Sequence, residues 1–158
     1  IQYLSVLLSL VAVTTAIDIR LISNSNCNGG VLVSCCNMNP NKCCGVNNAA
    51  FRSVQYTAIP TNWNVQTRSY EGGNCNILRG LLGPQHSGTV CMNEADCVAR
   101  LTGGSYNFSN KKRGAFNAED CRPDLLGLAD GTTYVVKDLD TDLFDELVCN
   151  LAAIEFLY

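Results

Sequence analysis

The apolar positions of this 158-residue chain fall into short runs rather than long stripes. IDIRLIS (17–23) alternates apolar and polar residues, VLVSCC (31–36) and FRSVQYTAI (51–59) concentrate β-branched and aromatic ones, and WNVQTRSY (63–70) starts apolar and then alternates. Asn, Gly and Pro separate these runs, in SNCNGG, in NMNPNKCCGVNN and around Pro60. Runs of this length and punctuation predict strands, and GTVCM and SYNFS are further candidates. The expected fold is mainly β, an antiparallel Greek-key sandwich. Its core would be drawn from Ile19, Leu21, Val31, Val33, Phe51, Val54, Tyr56 and Trp63.

After Arg113 the pattern changes. GAFNAEDCRPDLLGLADG reads as turns with a short helix, TTYVVKDL as a strand and DTDLFDELVCNLAAIEFLY as a C-terminal helix. In that helix Leu143, Leu147 and Leu151 recur at four-residue steps beside Phe144, Val148 and Ala152. Asp140, Thr141 and Asp142 stand where a helix start takes a cap and negative charge. Charge changes at the same place: residues 17–113 hold nine Lys or Arg and four acids, residues 114–158 two and ten. The opening IQYLSVLLSLVAVTTA is uncharged, with an apolar run over 3–13 and small Thr14 and Ala16, and reads as a secretory signal. It falls short of the ~20 residues of a membrane span. The expected organisation is a leader over 1–16, a disulfide-rich β domain over 17–113, and an acidic segment over 114–158 packed on the same domain.

Export changes the meaning of the ten cysteines, because an oxidising compartment pairs thiols. Cys27, Cys35, Cys36, Cys43, Cys44, Cys75, Cys91, Cys97, Cys121 and Cys149 suit five bridges, among about 945 connectivities. Adjacent cysteines are too close for an ordinary disulfide. Strand neighbours point to opposite faces, so CC at 35–36 and at 43–44 should each send bonds outward. Within the acidic segment Cys121 is a candidate partner for Cys149. The C-C-x6-C-C spacing lacks the C-x2-C and His elements of a zinc site, so neither a metal nor a cofactor is expected.

Candidate chemistry is sparse. His86 in LGPQHSGT is the only imidazole and adjoins Ser87, and a hydrolase needs such a base beside its nucleophile. A Gly-Pro and Ser-Gly setting reads instead as an exposed loop. Glu71 and Glu94 are the carboxylates a glycosidase-like pair would use. DLDTDLFDE (138–146) has acids at alternate positions like a calcium loop, but carries Leu143 where Gly belongs and Cys149 where Glu belongs, which leaves a helix start. NKKRG (110–114) lacks the interleaved aromatics of a nucleic-acid surface. NFS makes Asn107 a glycosylation acceptor on the surface, and Lys112 with Arg113 is a dibasic pair of the kind processing proteases read, between the basic and acidic parts, with a plain surface turn as the other reading.

IRLISNSNCNGGVLVS, NNAAFRSVQ and WNVQTRSYEGGNC together resemble βγ-crystallin-type Greek-key units in small secreted cysteine-rich fungal proteins, over about residues 17–80. The resemblance implies paired Greek-key motifs and, in many such units, calcium. Here NNAAFRS offers Asn47, Asn48 and Ser53, but departs from that signature by an extra residue and by Arg52 where a hydroxyl belongs, which favours a plain turn. The expected function is a secreted, disulfide-stabilised, non-catalytic binding protein of effector, toxin or defence type. Its partner would be a ligand of a cell surface, wall or matrix, with no nucleic acid and no membrane span. The alternative is a small secreted hydrolase using His86 or a carboxylate pair.

Overall fold

A computed structural model describes residues 16–94, 96, 98–110 and 122–155. Residues 1–15 of the expected leader and the Lys112–Arg113 pair therefore lie outside the described residues. Among the described residues ten strands and one α-helix follow in chain order: β1 Ile17–Ile22, β2 Leu32–Met38, β3 Cys43–Gly45, β4 Ser53–Thr57, β5 Val65–Glu71, β6 Ile77–Gln85, β7 Val90–Asn93, β8 Gly103–Phe108, β9 Leu125–Gly127, β10 Thr133–Val135 and α1 Thr141–Glu155. They form two antiparallel sheets, one ordered β10-β9-β2-β1-β4-β7 and the other β3-β8-β5-β6.

β1 is central because its alternation buries one whole face: Ile17, Ile19 and Leu21 are inaccessible to solvent. They meet Val33, Val54 and Tyr56 from the same sheet, and Cys44, Val65 and Tyr106 from the facing one. Every expected core residue is buried except Trp63, which is half-buried and lies edge-on to Phe108 with ring centroids 5.0 Å apart. The sheets approach closely at Gly104, where a Cβ would stand 2.8 Å from both the Tyr56 hydroxyl and Val54 Cγ1. Two tyrosines lace the layers reciprocally. Tyr56 on β4 donates to the Arg68 carbonyl on β5, and Tyr106 on β8 donates to the Met38 carbonyl on β2 at 2.8 Å. Burial drives the Tyr56 phenol far above its ordinary range and pushes Tyr106 up to about 12.

Three disulfides tie this frame: Cys27–Cys91, Cys35–Cys44 and Cys43–Cys75. The doublet on β3 divides its bonds. Cys44 crosses the core to β2, while Cys43 reaches the turn between β5 and β6. The other doublet bonds only through Cys35, since Cys36 carries a free thiol, as does exposed Cys149. Of the five bridges expected, three are formed among the described residues, and the suggested Cys121–Cys149 pairing involves a residue outside them. Cys97 and Cys121 lie outside the described residues.

The acidic segment joins the first sheet directly, β9 pairing with β2 and β10 with β9. DLLGL, read from sequence as turn or helix, supplies β9. In α1 the Asp140 carboxylate accepts from the Asp142 amide at 3.0 Å, as the capping pattern requires. The buried stripe is Phe144, Val148 and Ala152, with Leu147 and Leu151 beside it, whereas Leu143 is exposed. Arg122 fixes the helix by lying over the Phe144 ring at 5.0 Å and donating to the Leu139 carbonyl. Asn107 departs from its surface assignment. It sits on β8 opposite Gln66 of β5, with 4% of its surface exposed, and its side-chain amide donates to the Phe108 carbonyl at 3.1 Å.

Candidate functional site

The sequence-derived catalytic candidates do not converge. His86 is exposed in the connection from β6 to β7, and the Ser87 hydroxyl donates to the Thr89 carbonyl at 2.8 Å. That hydroxyl is committed to the loop's own backbone rather than to the imidazole. Asn47, Asn48 and Ser53 are engaged separately. Asn47 accepts from Asn74 at 2.7 Å, Asn48 donates to Asp145 at 3.1 Å, and buried Ser53 donates to the Asn24 carbonyl at 2.6 Å. Among the described residues no group of three His, Cys, Asp or Glu side chains is arranged to hold a metal ion.

Glu71 and Glu94, in contrast, are brought to one cation. Arg79 projects from β6 and contacts Glu94, just past β7, through Nε at 3.2 Å and Nη2 at 3.1 Å. Glu71 at the end of β5 stands 3.8 Å from Nε. The Glu94 side chain is nearly buried while Arg79 keeps 40% of its surface exposed. The Glu94 hydrogen bond, its charge and then that of Glu71 hold the guanidinium still more firmly protonated. An arginine spanning both carboxylates occupies the oxygens that a proton donor or nucleophile would have to present. The arrangement therefore fixes an arginine on an edge strand.

That edge is apolar. Ile77, Leu78, Leu81 and Leu82 are each exposed by 36% or more, the first two by 52%. Among the described strands β6 pairs only with β5, so one row of its main-chain groups faces away from that partner. Beside it a groove of about 380 Å³ runs between β6 and β7, lined by Ser69, Gly80, Leu81, Leu82, Met92 and Glu94 among others. Sequence reading missed this strand: its apolar residues come in adjacent pairs, ILRGLL, so no period-2 signal arises, and Gly80, Gly83 and Pro84 read as breakers.

A second groove, of about 280 Å³, lies on the outer face of the first sheet among Asp18, Arg20, Leu32, Ser34, Cys36 and Gly127. Burial pushes the Cys36 thiol up, and the Asp18 and Asp124 carboxylates add to the shift against the Ser34 hydrogen bond. Such a thiol is a poor nucleophile. A third, apolar groove of about 380 Å³ separates β9 and β10 from α1, with Tyr134 and Val135 at its exposed rim. No described helix is long and apolar enough to cross a membrane.

No curated protein and no solved structure matches the chain. A family model described as an N-terminal domain, ARB_05566_N, matches residues 18–128, from the second residue of β1 to the residue after β9 and across the change of charge at 113. That span is well over half of the sequence, and the chain belongs to this N-terminal domain family.

Proposed function

We propose that the protein is a secreted, disulfide-stabilised, non-catalytic binding module that acts at a cell surface, wall or matrix, and that its binding edge is β6. The observation carrying this reading is the edge strand with four exposed large apolar side chains around an arginine anchored by Glu94. Interfaces draw their affinity from apolar side chains and arginine held in place before binding. Three disulfides in a small β framework suit an oxidising compartment. The resemblance of residues 17–80 to crystallin-type units of secreted fungal proteins supports the same setting, with an effector, toxin or defence role. The exposed His86, and Glu71 and Glu94 both turned to Arg79, favour binding over the hydrolase alternative.

The test is retention on insoluble wall polysaccharide and on extracellular matrix protein, comparing the native chain with Leu78→Asp and Leu81→Asp. Both variants should keep the native circular dichroism spectrum and lose at least tenfold in retention. Native-like retention by both would remove β6 as the binding edge. Hydrolysis of simple esters, glycans or RNA that disappears in His86→Ala would replace this reading with the enzymatic one.

A further inference from the structure

We propose that the groove between α1 and the β9–β10 ladder is a binding site for an alkylammonium amphiphile, with the chain in the groove and the cationic head at its rim. The topology makes the groove. β10 is the outer strand of the first sheet. Its Tyr134 pairs with Leu126 of β9, which pairs in turn with Val33 of β2, so these three positions lie level across the sheet. Val33 is inaccessible and Leu126 is 2% exposed, but Tyr134 is 52% exposed. The cover over this face therefore ends between β9 and β10, and α1, held in the core by Phe144 and Val148, stands at its limit. The space left over is about 380 Å³, with Leu126, Leu128 and Val136 on the sheet side and Leu139, Leu147 and Leu151 on the other. All six are hydrocarbon side chains, and the Tyr134 hydroxyl is the one polar side-chain group in the lining. A volume within about 300–1,000 Å³ and an apolar wall with few polar groups suit a small molecule carrying a hydrocarbon part.

Charge at the rim selects the head group. At about 100° per residue, Phe144 and Val148 lie roughly 60° and 100° to one side of Leu147, and Glu146 lies roughly 100° to the other. Glu146 is exposed and so flanks the open side of the groove. Asp138 and Asp140, also exposed, stand on either side of Leu139 in the chain. Residues 133–151 hold five acids against one basic residue, Lys137. Asp145 is engaged by the Asn48 amide, and among the described residues none of Asp138, Asp140, Asp142 and Glu146 is in an ion pair. A carboxylate head at this rim meets like charge, whereas an ammonium head meets opposite charge beside an aromatic ring of the kind that attracts cations. The site is separate from β6, which is the outer strand of the other sheet, and it stands or falls independently of that edge.

The test uses three probes of one chain length, octylammonium, octanol and octanoate, titrated into the protein at low salt by isothermal calorimetry. Octylammonium should bind once per chain, octanol more weakly, and octanoate at least about tenfold more weakly than octylammonium. No saturable binding of octylammonium, or octanoate binding as tightly, overturns the proposal. Methyl resonances locate the site: octylammonium should shift those of Leu126, Leu147 and Leu151, and shifts gathered instead at Leu78 and Leu81 overturn it. The exposed pair Asp138→Asn, Glu146→Gln should weaken octylammonium about threefold and leave octanol unchanged; unchanged octylammonium binding removes the rim as the selecting element. Leu147→Trp fills the groove and should abolish binding of octylammonium and octanol alike, with retained binding in a folded variant refuting the site. Should that variant misfold, the methyl shifts of the native chain decide.

Discussion

β1 and β6 are both strands of mixed apolar and polar residues, yet they answer opposite demands. β1 lies between β2 and β4 with every second side chain in the core, and its apolar residues alternate accordingly. β6 is the longest described strand and, among the described strands, hangs on one neighbour, with apolar side chains in adjacent pairs that reach solvent on both faces. The difference teaches that apolar content alone assigns no role to a strand here. Order within the strand does, since only alternation delivers a strand's apolar surface to a single layer.

The contrast is sharpest for an introduced carboxylate. Leu21→Asp and Val54→Asp place a charge where solvent is absent; each should cost well over 3 kcal/mol and leave no folded protein in a urea unfolding experiment. Next in size is reduction. Cys35 and Cys44 join the layers from buried positions, and opening that bridge by a Cys35→Ala, Cys44→Ala pair should lower stability by about 2–4 kcal/mol. Its buried sulfurs should resist dithiothreitol until the protein unfolds.

Alkali tests the laced layers independently of mutation. Phenols with folded pKa values raised by burial favour the neutral, folded state. Their stabilisation is complete below the unfolded value of ~10 and is lost as pH rises through that value toward about 12 for Tyr106. Stability should therefore fall above about pH 10, and Tyr106→Phe should flatten part of the decline. A profile identical in Tyr56→Phe and Tyr106→Phe would remove these residues as its cause. Smaller still is Glu94→Gln, which weakens the anchor of a half-exposed arginine and should lower the urea midpoint only slightly. Leu81→Asp on β6 should change stability by less than about 0.5 kcal/mol. A loss as large as that of Leu21→Asp would erase the distinction between the two strands.

The same physics explains which parts were legible in the sequence. β1, β2, β4, β5, β7 and β8 overlap runs recognisable by alternation or β-branched content, and α1 by its four-residue recurrence and acidic start. β3 is three residues of cysteine and glycine, and β9 is three residues within a turn-rich stretch. Both exist because neighbouring strands offer hydrogen bonds, which no local pattern records. The burial of Asn107 was not readable, because a tripeptide says nothing of the strands around it. The division of bonds between Cys43 and Cys44 was readable, since it follows from strand geometry alone. Bringing Glu71 and Glu94 to Arg79 depends on how β5, β6 and β7 come together, and no spacing along the chain encodes it.

β9 lies between β2 and β10 in the first sheet. A cut at Lys112–Arg113 would therefore not yield two lobes held by opposite charge and parted by salt. It would yield a split protein, in which residues 114–158 act as a donor segment completing an unfinished sheet through the β2 to β9 hydrogen bonds and the packing of Leu126, Val136, Phe144 and Val148. Main-chain hydrogen bonds and apolar contacts are little weakened by ions. Such a two-piece molecule should persist in high salt, come apart only on denaturation, and leave the first piece with β2 as a bare and adhesive edge.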